Sequence, residues 1–181
     1  MIARQLFFGS VPVPYTVAWT NEERIFLGPC PYAKQLAMRN PVDRGTGKPR
    51  FGSPHMDRQR EAIALCLCAL CGQPLKTSTK VSLSQAKSRM NAASPLDVLQ
   101  VEPLLHRHCA AICMEHCPSL KRQMRDGDLN IRQVFRHACQ FAIYSAQGVF
   151  EACGERQIAI SHAKVQLIKW QDRDLKWLEA V

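Results

Sequence analysis

Apolar and polar positions begin to alternate near the N-terminus. Val11, Val13, Tyr15 and Val17 share one parity and Trp19 continues it, so residues 11–28 read as extended chain. Asn21-Glu-Glu-Arg24 reads as a turn. Residues 40–54 hold three prolines and three glycines and read as a loop. Over 55–67, Met56, Ile63 and Leu67 are spaced for one helix face, with Gln59 and Arg60 outside it. Residues 68–75 form a tight Cys-Gly-Pro element. Residues 76–95 are polar and read as a weakly ordered insert or a hairpin with a loop. A helix is expected over 103–117, with Pro103 in its first turn and Pro118 as its stop.

A longer helix is expected over 129–146. Ile131, Val134, Phe135, Ala138, Phe141, Ala142 and Ser145 follow three- and four-residue spacing. Asp126-Gly-Asp128 supplies its cap. Residues 157–168 read as a strand, and 172–178 as a last helical turn.

Composition narrows the class. The chain has 181 residues, 46% of them apolar and 22% charged, which excludes global disorder. Its length fits one domain, 1–181, with a metal-binding core over about 55–120 and a C-terminal elaboration over about 121–181. The longest apolar run, 62–71, is too short to cross a bilayer. No export segment is visible, so a cytoplasmic protein with reduced thiols and no membrane contact is expected. Nine cysteines cannot all pair within one chain, and their clustering favours a metal over disulfides.

The strongest signal is Cys68-Ala-Leu-Cys71-Gly72. Two intervening residues let both thiolates reach one ion, and the glycine allows the tight turn of a zinc knuckle. The second pair falls on His106-Arg-His-Cys109. Positions i and i+3 share a helix face, so His106 and Cys109 can ligate together. A knuckle followed by a helix whose first turn donates the second pair is a treble-clef arrangement. The expected fold is therefore α+β, a small zinc-stabilised core with flanking helices and a short sheet. His108, Cys113 and Cys117 stay open as replacements in the second pair. Cys66 reads as a core thiol, Cys30 between its two prolines as structural, and Cys139 and Cys153 as core or neutral surface thiols.

Catalytic motifs are not supported. Gly45-Thr-Gly-Lys48 is not a phosphate loop, because Val42 stands where its first glycine belongs and Pro49 replaces the Ser/Thr. A zinc deaminase needs His-x-Glu and a proline before the knuckle. A His-Asn-His nuclease needs a histidine between the ligand pairs, and 72–105 contains none. Four protein ligands also close a zinc site, whereas a catalytic one keeps a position open. No catalytic residues are assigned.

His55-Met-Asp-Arg58-Gln59-Arg60, Cys68-x-x-Cys71-Gly72-x-Pro74, His106-x-x-Cys109 and Cys117-Pro118-x-Leu120, with Gly47-Lys48-Pro49-Arg50-Phe51-Gly52 upstream, carry a resemblance. The order resembles a group of uncharacterised bacterial and phage-borne zinc-binding proteins over about residues 40–120. The resemblance implies a treble-clef-like zinc protein and brings no established activity.

The net charge is +9 and is unevenly spread. Residues 76–96 carry net +4, residues 39–60 net +4 and residues 121–136 net +3. Basic loops around a zinc module suit phosphate contact. The leading expectation is a non-enzymatic zinc-stabilised module that contacts nucleic acid or a nucleoprotein. Arg58, Arg60, Lys76, Lys80, Lys87 and Arg89 would neutralise phosphates. The alternative is a protein–protein adaptor or phage-encoded regulator that binds an acidic partner surface. There Phe135, Phe141, Tyr144, Trp170 and Trp177 supply an apolar patch unless they pack as core. A metal-dependent nuclease ranks third.

Overall fold

The computed structural model describes residues 4–87 and 98–180. Strands β1 (Leu6–Phe8) and β2 (Val11–Val13) form a small hairpin. Strand β3 (Val17–Trp19) pairs with β6 (Pro49–Pro54). Between them, β4 (Phe26–Pro29) and β5 (Leu36–Arg39) pair antiparallel. Helix α1 (Met56–Ala64) follows β6. Then come β7 (Lys80–Ser84), β8 (Val98–Gln100), β9 (Leu105–His106), α2 (Arg107–His116) and α3 (Pro118–Arg125). The chain ends with β10 (Asn130–Tyr144), α4 (Ala146–Cys153), β11 (Ala159–Arg173) and α5 (Leu175–Glu179). The fold is α+β.

Among the described residues the main sheet has seven strands. Its order is β4-β5-β11-β10-β7-β9, and β8 also pairs with β11. The 15-residue strands β10 and β11 form its antiparallel centre. One edge of β11 is served in two places. β5 meets it in parallel at Ile160, and β8 meets it antiparallel at Val165–Leu167. Side chains of α1 fill the gap. Arg60 donates to the Ser161 carbonyl. The Gln59 amide donates to the Ala163 carbonyl at 2.8 Å and accepts from the Ala163 N–H at 2.9 Å. It also donates to the Val101 carbonyl at 2.8 Å. One side-chain amide thus does the work of a missing strand, because buried backbone groups need partners.

Helix α1 also anchors the N-terminal segment. Glu22 is fully buried, and its carboxylate accepts two bonds from the Arg58 guanidinium, at 2.7 and 2.6 Å. Backbone N–H groups of Trp19 and Asp43 donate to it as well, both at 2.9 Å. Arg58 donates further to the carbonyls of Tyr15 and Val17, both at 2.8 Å. Buried His55 caps α1, accepting at Nδ1 from the Arg58 N–H and donating from Nε2 to the Pro41 carbonyl. A buried ion pair persists only when its remaining donors and acceptors are matched, and these are.

The main apolar cluster joins Ile63, Cys68, Leu75, Val81, Cys109 and Ala110 to Ile131, Val134, Val165, Leu167 and Leu178. Side chains from beyond residue 121 therefore pack directly on the cysteine-bearing segments.

Several expectations change. The segment expected as a helix over 129–146 is β10. Its helix-like spacing comes from register shifts between Val134 and His137 and between Phe141 and Ile143, which break the parity of a regular strand. Ile131 and Arg132 are both buried, so both faces are covered at that end. Asp126-Gly-Asp128 closes α3 instead of opening a helix, with Gly127 at a left-handed φ of +76°. Residues 49–54 are strand, not loop. Helix α2 begins at Arg107, because the preceding residues pair with β7. Gln59 and Arg60 point inward.

The Glu22–Arg58 pair yields a contrast. Arg58→Met leaves a buried carboxylate without its cation and lowers unfolding free energy by about 3–5 kcal/mol. Lys87→Ala, at an exposed site, changes it by at most about 0.5 kcal/mol. Denaturant midpoints at neutral pH check both. Ion pairing and hydrogen bonding hold the Glu22 carboxyl below its usual value despite burial. Its contribution is therefore present above the ordinary carboxylate range and fades as pH falls through it.

Candidate metal centre

The knuckle forms first along the chain. Leu67 and Pro74 bridge antiparallel across its base. The Cys68 N–H donates to the Gln73 carbonyl at 2.8 Å, and the Gly72 N–H to the Cys68 carbonyl at 2.8 Å. Gly72 adopts φ +70°, the left-handed conformation that a residue without Cβ takes cheaply. The turn holds Cys68 buried and Cys71 partly exposed.

The second pair comes from the start of α2. Strand β9 pairs with β7, with Lys80 opposite His106, which fixes the entry of the helix. His106 is the cap residue, and Cys109 lies one turn in. The exposed N-terminal amides of α2 put partial positive charge beside the thiols, which favours thiolates.

These four side chains converge. Ligand atoms of Cys68, Cys71, His106 and Cys109 all lie within 4.8 Å of one another. His106 Nδ1 is 3.4 Å from Cys71 Sγ and 3.8 Å from Cys109 Sγ. A tetrahedral ion with metal–sulfur bonds of about 2.3 Å and metal–nitrogen bonds of about 2.0–2.1 Å needs edges of roughly 3.6–3.8 Å. The cluster fits. His106 Nε2 donates to the Pro74 carbonyl at 3.2 Å, which leaves the Nδ1 lone pair facing the sulfurs. Metal-binding histidines are oriented by such outer bonds.

The electrostatics agree. Hydrogen bonds from the Cys109 and Cys68 thiols hold the Cys71 thiol far below its ordinary value. Hydrogen bonding to Cys68 and Cys71, with burial, pushes Cys109 far above its own. One thiolate forms readily and a third does not, because like charges this close oppose one another. A bound cation removes that opposition. All nine cysteines are free thiols in the structure.

The neighbours take other roles. Burial and the adjacent Cys68 push Cys113 up to about 12, so it stays a neutral thiol against the site. Exposed His108 stacks on His106 with centroids 5.5 Å apart, and its Nε2 is 3.3 Å from Cys109 Sγ. Neither it nor Cys117 belongs to the four-atom cluster.

The expected phosphate-contacting residues divide. Lys76 and Lys87 are exposed, and Lys80 is half-buried at the start of β7. Arg89 lies outside the described residues. Arg58 and Arg60 are inside the protein, matched by Glu22 and Asp57 respectively. Glu22 stands 36 residues from Arg58, so local sequence gave no sign of the pairing. Of the aromatic residues, Phe135 and Tyr144 are exposed, while Phe141, Trp170 and Trp177 are partly buried.

No family model matches this sequence, and no curated protein or solved structure matches it either. Of the resemblance, the structure bears out the metal-binding part: Cys68, Cys71, His106 and Cys109 lie close enough to hold an ion. No helix among the described residues is long and apolar enough to cross a membrane.

Native mass spectrometry is expected to find one divalent ion per chain. Cys68→Ser or Cys109→Ser removes it, whereas Cys113→Ser keeps it. Acidification releases the ion, because thiols must lose protons to bind it. Chelation abolishes the cooperative thermal transition, since metal binding of this kind contributes on the order of 10 kcal/mol to folding. An unchanged melt after complete demetallation rules the site out as structural.

Proposed function

We propose that the cluster holds Zn²⁺ and that the chain is a non-enzymatic, zinc-stabilised binding module that contacts nucleic acid or a nucleoprotein. The observation that carries the reading is the convergence of Cys68, Cys71, His106 and Cys109. Three thiolates and an imidazole in tetrahedral reach suit zinc among the divalent ions. Four protein ligands fill its coordination, which favours a structural ion over a catalytic one. The order of knuckle, β7–β9 pair and ligand-bearing helix supports a treble-clef-like core within about 55–120. When bound, zinc neutralises the thiolates and ties the knuckle to α2. Reduced thiols suit a cytoplasmic location.

Charge supports the choice of partner. Lys76, Lys80 and Lys87 follow the knuckle with no acid among them, and Lys121, Arg122 and Arg125 line the exposed side of α3. On the sheet, exposed Arg136 sits opposite exposed Lys169. Such a surface binds phosphate mainly by releasing counterions.

A retardation assay tests this. Affinity falls between 50 and 200 mM salt by roughly a factor of 3–4 for each phosphate contacted. Lys76→Ala with Lys87→Ala weakens binding to all sequences alike and flattens the salt dependence. Failure to shift any single- or double-stranded probe at low salt sinks the reading.

One observation favours a protein adaptor instead. An open cavity of about 600 Å³ beside the knuckle is lined by Val17, Leu70, Leu83, Leu105 and Leu120. Recovery of one acidic protein that survives nuclease treatment, and is lost on filling the cavity with Leu120→Trp, selects this reading.

A further inference from the structure

An ion held by Cys68, Cys71, Cys109 and His106 leaves a surplus of negative charge, since three thiolates outweigh one divalent cation. Hydrogen bonds to the sulfurs disperse that charge and keep each thiolate in place. The fold supplies them in two different ways. The Cys68 sulfur accepts from the His106 N–H at 3.5 Å and from the Cys71 N–H. The Cys71 sulfur accepts from the Gln73 N–H. Both sulfurs belong to the knuckle, whose tight turn aims backbone amides at them. Cys109 is placed differently. It lies in the first turn of α2, and the amides that follow it are taken up by the i→i−4 ladder of the helix. The knuckle's arrangement does not extend to this third sulfur.

A side chain stands beside it instead. His108 Nε2 lies 3.3 Å from Cys109 Sγ, within reach of a hydrogen bond to sulfur. Three details define what that contact does. First, a metal-bound thiolate has no proton to give, so the imidazole nitrogen that faces it is the donor. Second, the ring is held in position. It stacks on the ring of His106, with centroids 5.5 Å apart and planes 20° apart. An exposed side chain otherwise loses rotamer freedom for little return, and here one stack and one bond fix it together. Third, His108 stays outside the four-atom cluster, so it touches the site through Cys109 and not as a ligand.

We propose that His108 is a positioning residue of the metal centre, donating from Nε2 to the Cys109 thiolate and so fixing that sulfur on the ion. This rests on the reading that the cluster holds zinc. It divides the work at the site in two. Backbone amides, which no substitution removes, serve the two knuckle sulfurs. A solvent-facing side chain serves the helix sulfur, so the grip of α2 on the ion depends on one replaceable group. Outer bonds of this kind govern affinity as well as orientation.

The test uses the full chain loaded with Zn²⁺, or with Co²⁺ as a coloured probe of the same tetrahedral site. His108→Ala is expected to bind one ion per chain, about 10–100-fold more weakly than the wild type in competition with a chromophoric chelator. Its thiolate-to-cobalt charge-transfer band moves to longer wavelength, because the Cys109 sulfur keeps more of its electron density. Its ligand-field bands keep the tetrahedral pattern. His108→Gln, whose amide offers an N–H at similar reach, returns both affinity and band toward wild type. A merely structural role for His108 lowers the melting temperature and leaves the band where it was. A wild type that binds no ion overturns the zinc reading and this inference with it. A wild type that binds one ion, beside a His108→Ala variant with the same affinity and the same band, overturns this inference alone. Loss of the tetrahedral pattern in His108→Ala also overturns it, since His108 is then itself a ligand.

Discussion

Three thiols and an imidazole within one ligand's reach form an arrangement that the apo electrostatics oppose. The first thiolate forms easily on Cys71, and each further one meets the charge already there. A bound cation would resolve this, and the geometry around the site presents four donors together. The knuckle turn fixes two of them. The β7–β9 pair and the first turn of α2 fix the others. The Pro74 carbonyl returns from the knuckle to orient His106, so each half of the site steers the other. Behind it, Cys68 and Cys109 are part of the main apolar cluster, together with side chains from β10, β11 and α5. An ion held there would therefore tie the knuckle and α2 together where both pack on β10, β11 and α5.

A second hub works without metal. Helix α1 carries few apolar residues on its buried side and instead places Arg58, Gln59 and Arg60 there. Each is matched. Arg58 closes on Glu22 and two carbonyls of the N-terminal segment. Gln59 and Arg60 complete the β11 edge where no strand reaches. These polar side chains fix position through direction-dependent bonds, whereas apolar packing alone tolerates sliding. The motif His55-Met-Asp-Arg58-Gln59-Arg60 is thus architectural, and its positive charges are spent inside the protein. The exposed basic side chains that remain are spread over the N-terminal segment, the stretch after the knuckle, α3 and the β10–β11 pair.

Local sequence served the elements unequally. Helix α1 and strand β11 fall where periodicity and composition place them. Strand β10 does not. Its bulges convert a two-residue repeat into one that mimics a helix, and its strand character depends on partners 15 to 54 residues away. The same distance effect hid the Glu22–Arg58 pair. Pro118 both stops α2 and opens α3 at its first position, a double role that its place in the sequence does not distinguish from a simple stop.

The sequence by itself marked the candidate donors of a metal site. Cys68, Cys71, His106 and Cys109 are legible because knuckle spacing and i,i+3 helix spacing are local geometry, fixed by the backbone within a few residues. It also determined the class of fold and the overall basic charge. The tertiary structure decided which candidate ligands meet, since Cys113 and His108 share the helix but not the four-atom cluster. It decided which basic side chains face solvent, because burial depends on acids and carbonyls brought from distant segments. It decided, too, that Asn130–Tyr144 is a strand. Hydrogen bonds between strands are long-range in sequence, and only the folded chain reveals where they stop.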